Sequence, residues 1–230
     1  MSVIERSLSF SSSGLCDSIE NRLRYIKDAI PPTVKVLAVS KNNSAEIIRH
    51  LSNRGQISFG ENRVQEALSK QELLVDLINL DWHFIGRIQS NKVRKIVINF
   101  NTIHSVSNLL LATELQRVAI EEQCERDILL QVKLSSDPNK AGFTSKELLQ
   151  DWHILASLKP LNLIGLMIIV PLAASLRNRR KLFADCRKLI QILDLQKSSM
   201  GMSNDWREAV VEGSNYVRVG STLFGNIILK

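Results

Sequence analysis

Short runs rich in Val, Ile, Leu and Phe alternate along the chain with segments of helical spacing. This is the pattern of repeated βα units around a parallel sheet. The apolar runs read as strands near 34–40, 56–60, 82–86, 102–106, 128–134, 163–170, 198–202 and 216–220. The helical candidates between them span 44–54, 63–79, 90–99, 108–123, 145–158, 177–195 and 204–212. Within 44–54, Ile47, Ile48 and Leu51 share one helical face, and Gly55 follows where a C-cap belongs. Thr144 and Ser145 ahead of Glu147 form a helix start. A further N-terminal helix over 18–29 has to stop before Pro31 and Pro32. Eight strand–helix repeats in so short a chain predict one α/β domain, a compact (β/α)8 TIM barrel, where an open doubly wound sheet would more often stop at five or six strands. The expected organisation is a flexible segment 1–14 and a barrel over 15–230, with no second domain.

Composition narrows the class. Of 230 residues, 44% are hydrophobic and 23% charged, values of an ordinary globular chain that exclude wholesale disorder. The charge-free stretch 161–176 is interrupted by Asn162, Gly165 and Pro171 and falls short of the ~20 apolar residues of a membrane span. The N-terminus carries Glu5, Arg6 and then a serine-rich run, with no apolar block of a secretory signal, so a cytoplasmic location is expected. Cys16, Cys124 and Cys186 suit neither a disulfide framework nor a zinc site, and read as reduced structural thiols. A net charge of +7 raises a polyanion as partner, with Arg87, Lys92, Arg94 and Lys95 in one cluster and Arg177, Arg179, Arg180 and Lys181 in another. Aromatics are only 5%, which argues against a base-stacking surface, and solvated helix faces are the plainer reading of both clusters.

In such barrels the chemistry gathers at the C-terminal ends of the strands, and phosphates sit at the loops after strands 7 and 8. Lys41 follows the apolar Val36-Leu37-Ala38-Val39 and would stand at the barrel mouth, where partial loss of water favours a nucleophilic amine able to form a Schiff base; a strand cap in solvent is the plainer alternative. Ser199-Met200-Gly201-Met202-Ser203 and Gly220-Ser221-Thr222 combine glycines with hydroxyls at the two loops where a phosphate is expected. Arg218 points into the barrel and needs a partner, either the carboxylate of Glu61 or a ligand atom. His83, between Trp82 and Phe84, reads more simply as a satisfied core histidine than as a ligand. The chain contains no metal-ligand spacing, Walker A loop or Rossmann fingerprint.

The same segments carry a resemblance. Ala38-Val39-Ser40-Lys41, Phe59-Gly60-Glu61-Asn62 with Val64-Gln65-Glu66, His83-Phe84-Ile85-Gly86 with Gln89-Ser90-Asn91-Lys92, Ser199 to Ser203, and Val217-Arg218-Val219-Gly220-Ser221 resemble, in order, the pyridoxal 5'-phosphate (PLP) homeostasis proteins. The resemblance implies a barrel like the N-terminal domain of alanine racemase, with PLP held covalently at Lys41 as a Schiff base. It implies Arg218 opposite the pyridine nitrogen, Ser199, Gly220 and Ser221 at the phosphate, and Asn62, His83 and Met202 along the pocket. An arginine at that nitrogen weakens the ring as an electron sink, since a guanidinium does not give up its proton. A racemase of this type adds a second domain, which is not expected here. The implied function is therefore PLP binding and exchange with little or no turnover, serving vitamin B6 and amino-acid/keto-acid balance. PLP-dependent apo-enzymes are the implied recipients, a slow PLP enzyme or a polyanion binder the alternatives, and a monomer the expected state. Two features depart from the family: Ile168 where a threonine is common, and the basic segment 177–181. The Lys140-Ala141-Gly142-Phe143 loop fits it.

Overall fold

The computed structural model describes residues 12–135 and 141–225. Its core is a closed barrel of eight parallel strands in chain order. These are β1 Lys35–Val39, β2 Ser58–Glu61, β3 Asp81–Phe84, β4 Thr102–Val106, β5 Arg126–Val132, β6 Leu161–Ile168, β7 Lys197–Met202 and β8 Tyr216–Val219. All eight coincide with the apolar runs of the sequence. The helices on the outside are α1 Ser12–Asp28, α2 Ala45–Ser52, α3 Val64–Leu73, α4 Val93–Asn99, α5 Leu109–Glu121, α6 Ser145–Gln150, α7 Trp152–Leu155, α8 Leu176–Ile192, α9 Trp206–Val211 and the short α10 Ser221–Phe224. Among the described residues no helix is long and apolar enough to cross a membrane.

Successive strand side chains point to opposite faces, so each strand serves two environments. Val36, Ala38, Phe59, Trp82, Phe84, Ile103, Leu130 and Val217 face outwards into one continuous apolar cluster with the helices. That outer layer is the principal core. Leu37, Leu129, Met167 and Tyr216 are buried but stand apart from it, inside the barrel, where they share the interior with His83, His104, Ser199 and Arg218.

Local signals explain where the elements start and stop. Thr144 closes a full capping box with Glu147 at the head of α6, and Gly55 adopts φ +77° just past α2. The single helix expected over 145–158 is divided at Asp151, and the one expected over 63–79 stops at Leu73. Helix α1 begins at Ser12, earlier than expected; the flexible segment expected over 1–14 otherwise lies outside the described residues, as does Lys140 of the 140–143 loop. Cys186 is buried, which pushes its thiol up to about 12, and Cys124 is half-buried, as fits structural thiols. Much of the basic charge is engaged within the fold. Arg94 pairs with Glu121 and Glu122, Arg180 with Glu212, and Arg179 donates to the carbonyls of Leu172, Ala174 and Asn204.

Candidate functional site at the C-terminal mouth

The strand register sets the mouth's layout. On adjacent strands Leu37 lies opposite Arg218 and Ala38 opposite Val219, so Lys41, beyond the end of β1, stands above Arg218. Lys41 is exposed. It lies past the end of β1 at Val39, where the chain turns out through Asn42, which adopts φ +60°.

Arg218 is 4% exposed and does not pair with Glu61, as one reading of the sequence required. Its Nη1 donates to the Ser199 carbonyl and hydroxyl, each at 2.7 Å, and its Nη2 to the carbonyl of Ile168 at 2.9 Å. Ile168 thus meets the site through its backbone, whatever its side chain. Burial lowers the Arg218 guanidinium to about 10, which leaves it a cation at neutral pH. Glu61 is instead 0% exposed and bound to Lys70 at 2.7 Å and to the Ser40 hydroxyl at 2.7 Å. Burial raises its carboxyl and the Lys70 ammonium works against that rise.

Beneath Arg218 a ladder of buried polar side chains descends the barrel. Ser199 Oγ lies 2.9 Å from His104 Nδ1, His104 Nε2 lies 2.8 Å from His83 Nδ1, and His83 Nε2 lies 2.8 Å from Asp81 Oδ2. Donor counting fixes its direction. Arg218 can only donate, so the Ser199 hydroxyl accepts from it and donates its own proton to His104 Nδ1. Burial above all holds His104 well below 6.5, so it is neutral, and with Ser199 donating to Nδ1 its one proton sits on Nε2. His83 accepts that proton's hydrogen bond at Nδ1 and donates from Nε2 to Asp81. Burial opposes the Asp81 charge, but the bonds from His83 and Ser58 outweigh it and hold the carboxyl below its ordinary value. The reverse order would place a second cation beneath Arg218 and leave the buried Ser199 hydroxyl proton without an acceptor. The ladder therefore runs from a cation at one end of the barrel to an anion at the other.

The remaining expected residues occupy varied settings. His83 is the satisfied interior histidine of the plainer reading. Ser199 is 0% exposed, and its hydroxyl is bonded to Arg218 and His104. Ser203, the other hydroxyl of that loop, reaches the connection after β8. The N–H groups of Gly220 and Thr222 converge on its hydroxyl oxygen at 3.2 Å each, and the Thr222 hydroxyl donates to its carbonyl. Ser221 is exposed beside them. Met202 is half-buried, with its N–H on Asp205 Oδ1 at 2.5 Å. Asn62 is half-buried, and its Oδ1 is buried without a hydrogen-bond partner among the described residues.

These positions can be set beside known proteins. The profile of the alanine racemase N-terminal domain family matches residues 16–227. A pyridoxal phosphate homeostasis protein of Synechocystis sp. is 43% identical over 203 residues, covering 86% of this chain and 93% of that protein. The chain belongs to the pyridoxal phosphate homeostasis protein family. Solved structures of another family member, PipY of Synechococcus elongatus, are similar with a TM-score of 0.88 at 44% identity without PLP, and 0.87 at 43% with PLP bound. Each covers 90% of this chain and 100% of PipY. Alanine racemase of Clostridium difficile, at 18% identity and a TM-score of 0.76, covers 92% of this chain and 60% of its own, and shares the barrel fold with the homeostasis family.

Proposed function

We propose that this chain binds PLP covalently at Lys41, between the Arg218 ladder and the Gly220–Thr222 amides, and serves vitamin B6 homeostasis with little or no turnover. The observation that carries the reading is the buried Arg218 guanidinium, fixed by three hydrogen bonds at the mouth where Lys41 stands. The donor set fits the group. A guanidinium below, a primary amine at the rim, N–H groups already converged on an oxygen, and an orphaned Asn62 Oδ1 match a pyridine nitrogen, an aldehyde, a phosphate and a phenol. The PLP-bound state of PipY is consistent with this.

When bound, PLP supplies an aldehyde that captures amines and a ring that draws electrons from them. The chain's own residues restrict that chemistry. Arg218 would donate a hydrogen bond to the ring nitrogen while keeping its proton, which would leave the ring a weak sink. The ladder holds the guanidinium from below and prevents it from swinging aside. The two imidazoles inside the barrel, His83 and His104, have every nitrogen engaged in the ladder. Binding and release are then the retained activities, and PLP-dependent apo-enzymes the recipients of what is released.

The test titrates the purified chain with PLP, then adds alanine in deuterated buffer. The reading predicts saturation at one PLP per chain with Cα exchange no faster than with free PLP. Exchange that tracks enzyme concentration would make the chain a catalyst, and failure to saturate would remove the cofactor.

A further inference from the structure

Beside the mouth lies a cleft of about 550 Å³ between the β2–α3 and β3–α4 connections. Asn62, Arg63, Gln65, Glu66, Arg87 and Lys92 supply its polar wall. Its volume is that of a small-molecule site. Arg63 and Arg87 are exposed, Lys92 is half-buried, and none of the three makes an ion pair or side-chain hydrogen bond among the described residues. The arginines elsewhere show how readily this fold pairs such groups: Arg49, Arg54, Arg94, Arg117 and Arg180 each hold a carboxylate. The one carboxylate in the cleft, Glu66, accepts from Lys70 at 2.7 Å and from the N–H of Asn42 at 2.5 Å through the same oxygen, and the Arg63 charge also acts on it. Three cations therefore face one concave volume whose single carboxylate is already paired with Lys70, an arrangement that leaves an excess of positive charge, focuses positive potential and favours an anion. Phe84, the aromatic residue on the wall, is 1% exposed, so there is no ring on which a base could stack.

We propose that this cleft binds a compact dianion, a phosphate or a dicarboxylate, and that its occupancy is felt at Lys41. The connection is short and covalent at one end. Glu66 lines the cleft and accepts from the backbone N–H of Asn42, the residue next to Lys41, where the chain makes its left-handed turn. A second contact runs through Asn62, whose backbone is so close to Gly86 that a Cβ at Gly86 would come within 2.1 Å of the Asn62 carbonyl oxygen. The two connections forming the cleft are thus in direct backbone contact. The binding site itself does not depend on the cofactor reading.

Calorimetric titration of the full chain with inorganic phosphate and with malonate tests it, with chloride as the control for charge alone. One saturable site per chain is expected for at least one of the two dianions, and which of them binds more tightly identifies the source. Affinity should fall about tenfold or more in Arg63→Ala/Arg87→Ala. It should hold in Arg177→Ala/Lys181→Ala, which removes equal charge from a remote face. PLP uptake by both variants, followed by absorbance, should match the wild type, so that failure here is distinct from failure of the cofactor reading. Uptake without saturation, or equal weakening in the two double variants, would overturn the site. A site that saturates without moving the Asn42 amide resonance would overturn the link to Lys41.

Discussion

At the scale of single residues the ladder from Arg218 to Asp81 is the decisive feature. It predicts that His83 and His104 both carry their proton on Nε2, which long-range nitrogen–proton NMR spectra read directly. A proton on Nδ1 of His104 would show the opposite order. His104 also gives the ladder a pH signature. Folded, its affinity for a proton is held well below the ordinary value of 6.5, chiefly by burial, so below that pH the unfolded chain binds more protons and stability falls. From this one group the decline approaches about 1.4 kcal/mol per pH unit. Glu61, whose carboxyl is raised, contributes in the opposite sense from 4.5 up to its folded value. His104→Asn removes only the first contribution, so its stability, from denaturant midpoints, should decline less steeply than the wild type's below pH 6.5. Parallel slopes would mean that folded His104 takes up a proton. Much of this is legible in sequence as residue types at strand ends: Lys41, Arg218 and the Ser199–Ser203 loop stand out from position alone. Their partners do not. Glu61 and Ser199 are both plausible neighbours of Arg218, and only the inward-facing register of β7 and β8 decides between them. A period-two reading that paired inward positions of β3 and β4 would have brought His83 and His104 together.

At the scale of elements, two devices hold the mouth in shape. Gly201 sits at φ +88° where β7 bends into α9, and a Cβ there would lie 2.6 Å from the Ala209 Cβ and 2.8 Å from the Trp206 Cα. Gly201→Ala is expected to cost about 2–4 kcal/mol through backbone strain and overpacking together. Its thermal unfolding should show that loss, and a neutral result would mean that α9 can shift freely. On the opposite side Lys70 reaches from α3 to Glu61 and to the Ser40 carbonyl, tying α3 to the ends of β1 and β2. Lys70→Met leaves a carboxylate that is 0% exposed without its cation, at an expected cost of about 3–5 kcal/mol in denaturant unfolding. A much smaller loss would indicate that Glu61 is protonated in the variant. Strands are more legible than helices, because eight apolar runs in a closed parallel sheet leave little freedom of assignment. Helix ends depend on local breaks such as Asp151, which caps both α6 and α7 and which the hydrophobic periodicity does not mark.

At the scale of the whole molecule the barrel separates two tasks. Its outer layer of apolar side chains supplies the fold, and its interior carries a polar column that ends under Lys41. A ligand that binds only the folded chain stabilises it by RT ln(1 + [L]/Kd), so PLP at a hundredfold excess over Kd should add about 2.7 kcal/mol, read as a rise in Tm. Lys41→Ala should fold normally, as Lys41 is exposed and packs little, yet lose the covalent part of that gain. The most direct measurement is borohydride reduction of the PLP-loaded chain with subsequent peptide mapping. The account predicts one reduced adduct, on Lys41, and none in Lys41→Ala. An adduct on another lysine, or an unmodified Lys41 in a chain that has taken up PLP, would contradict it.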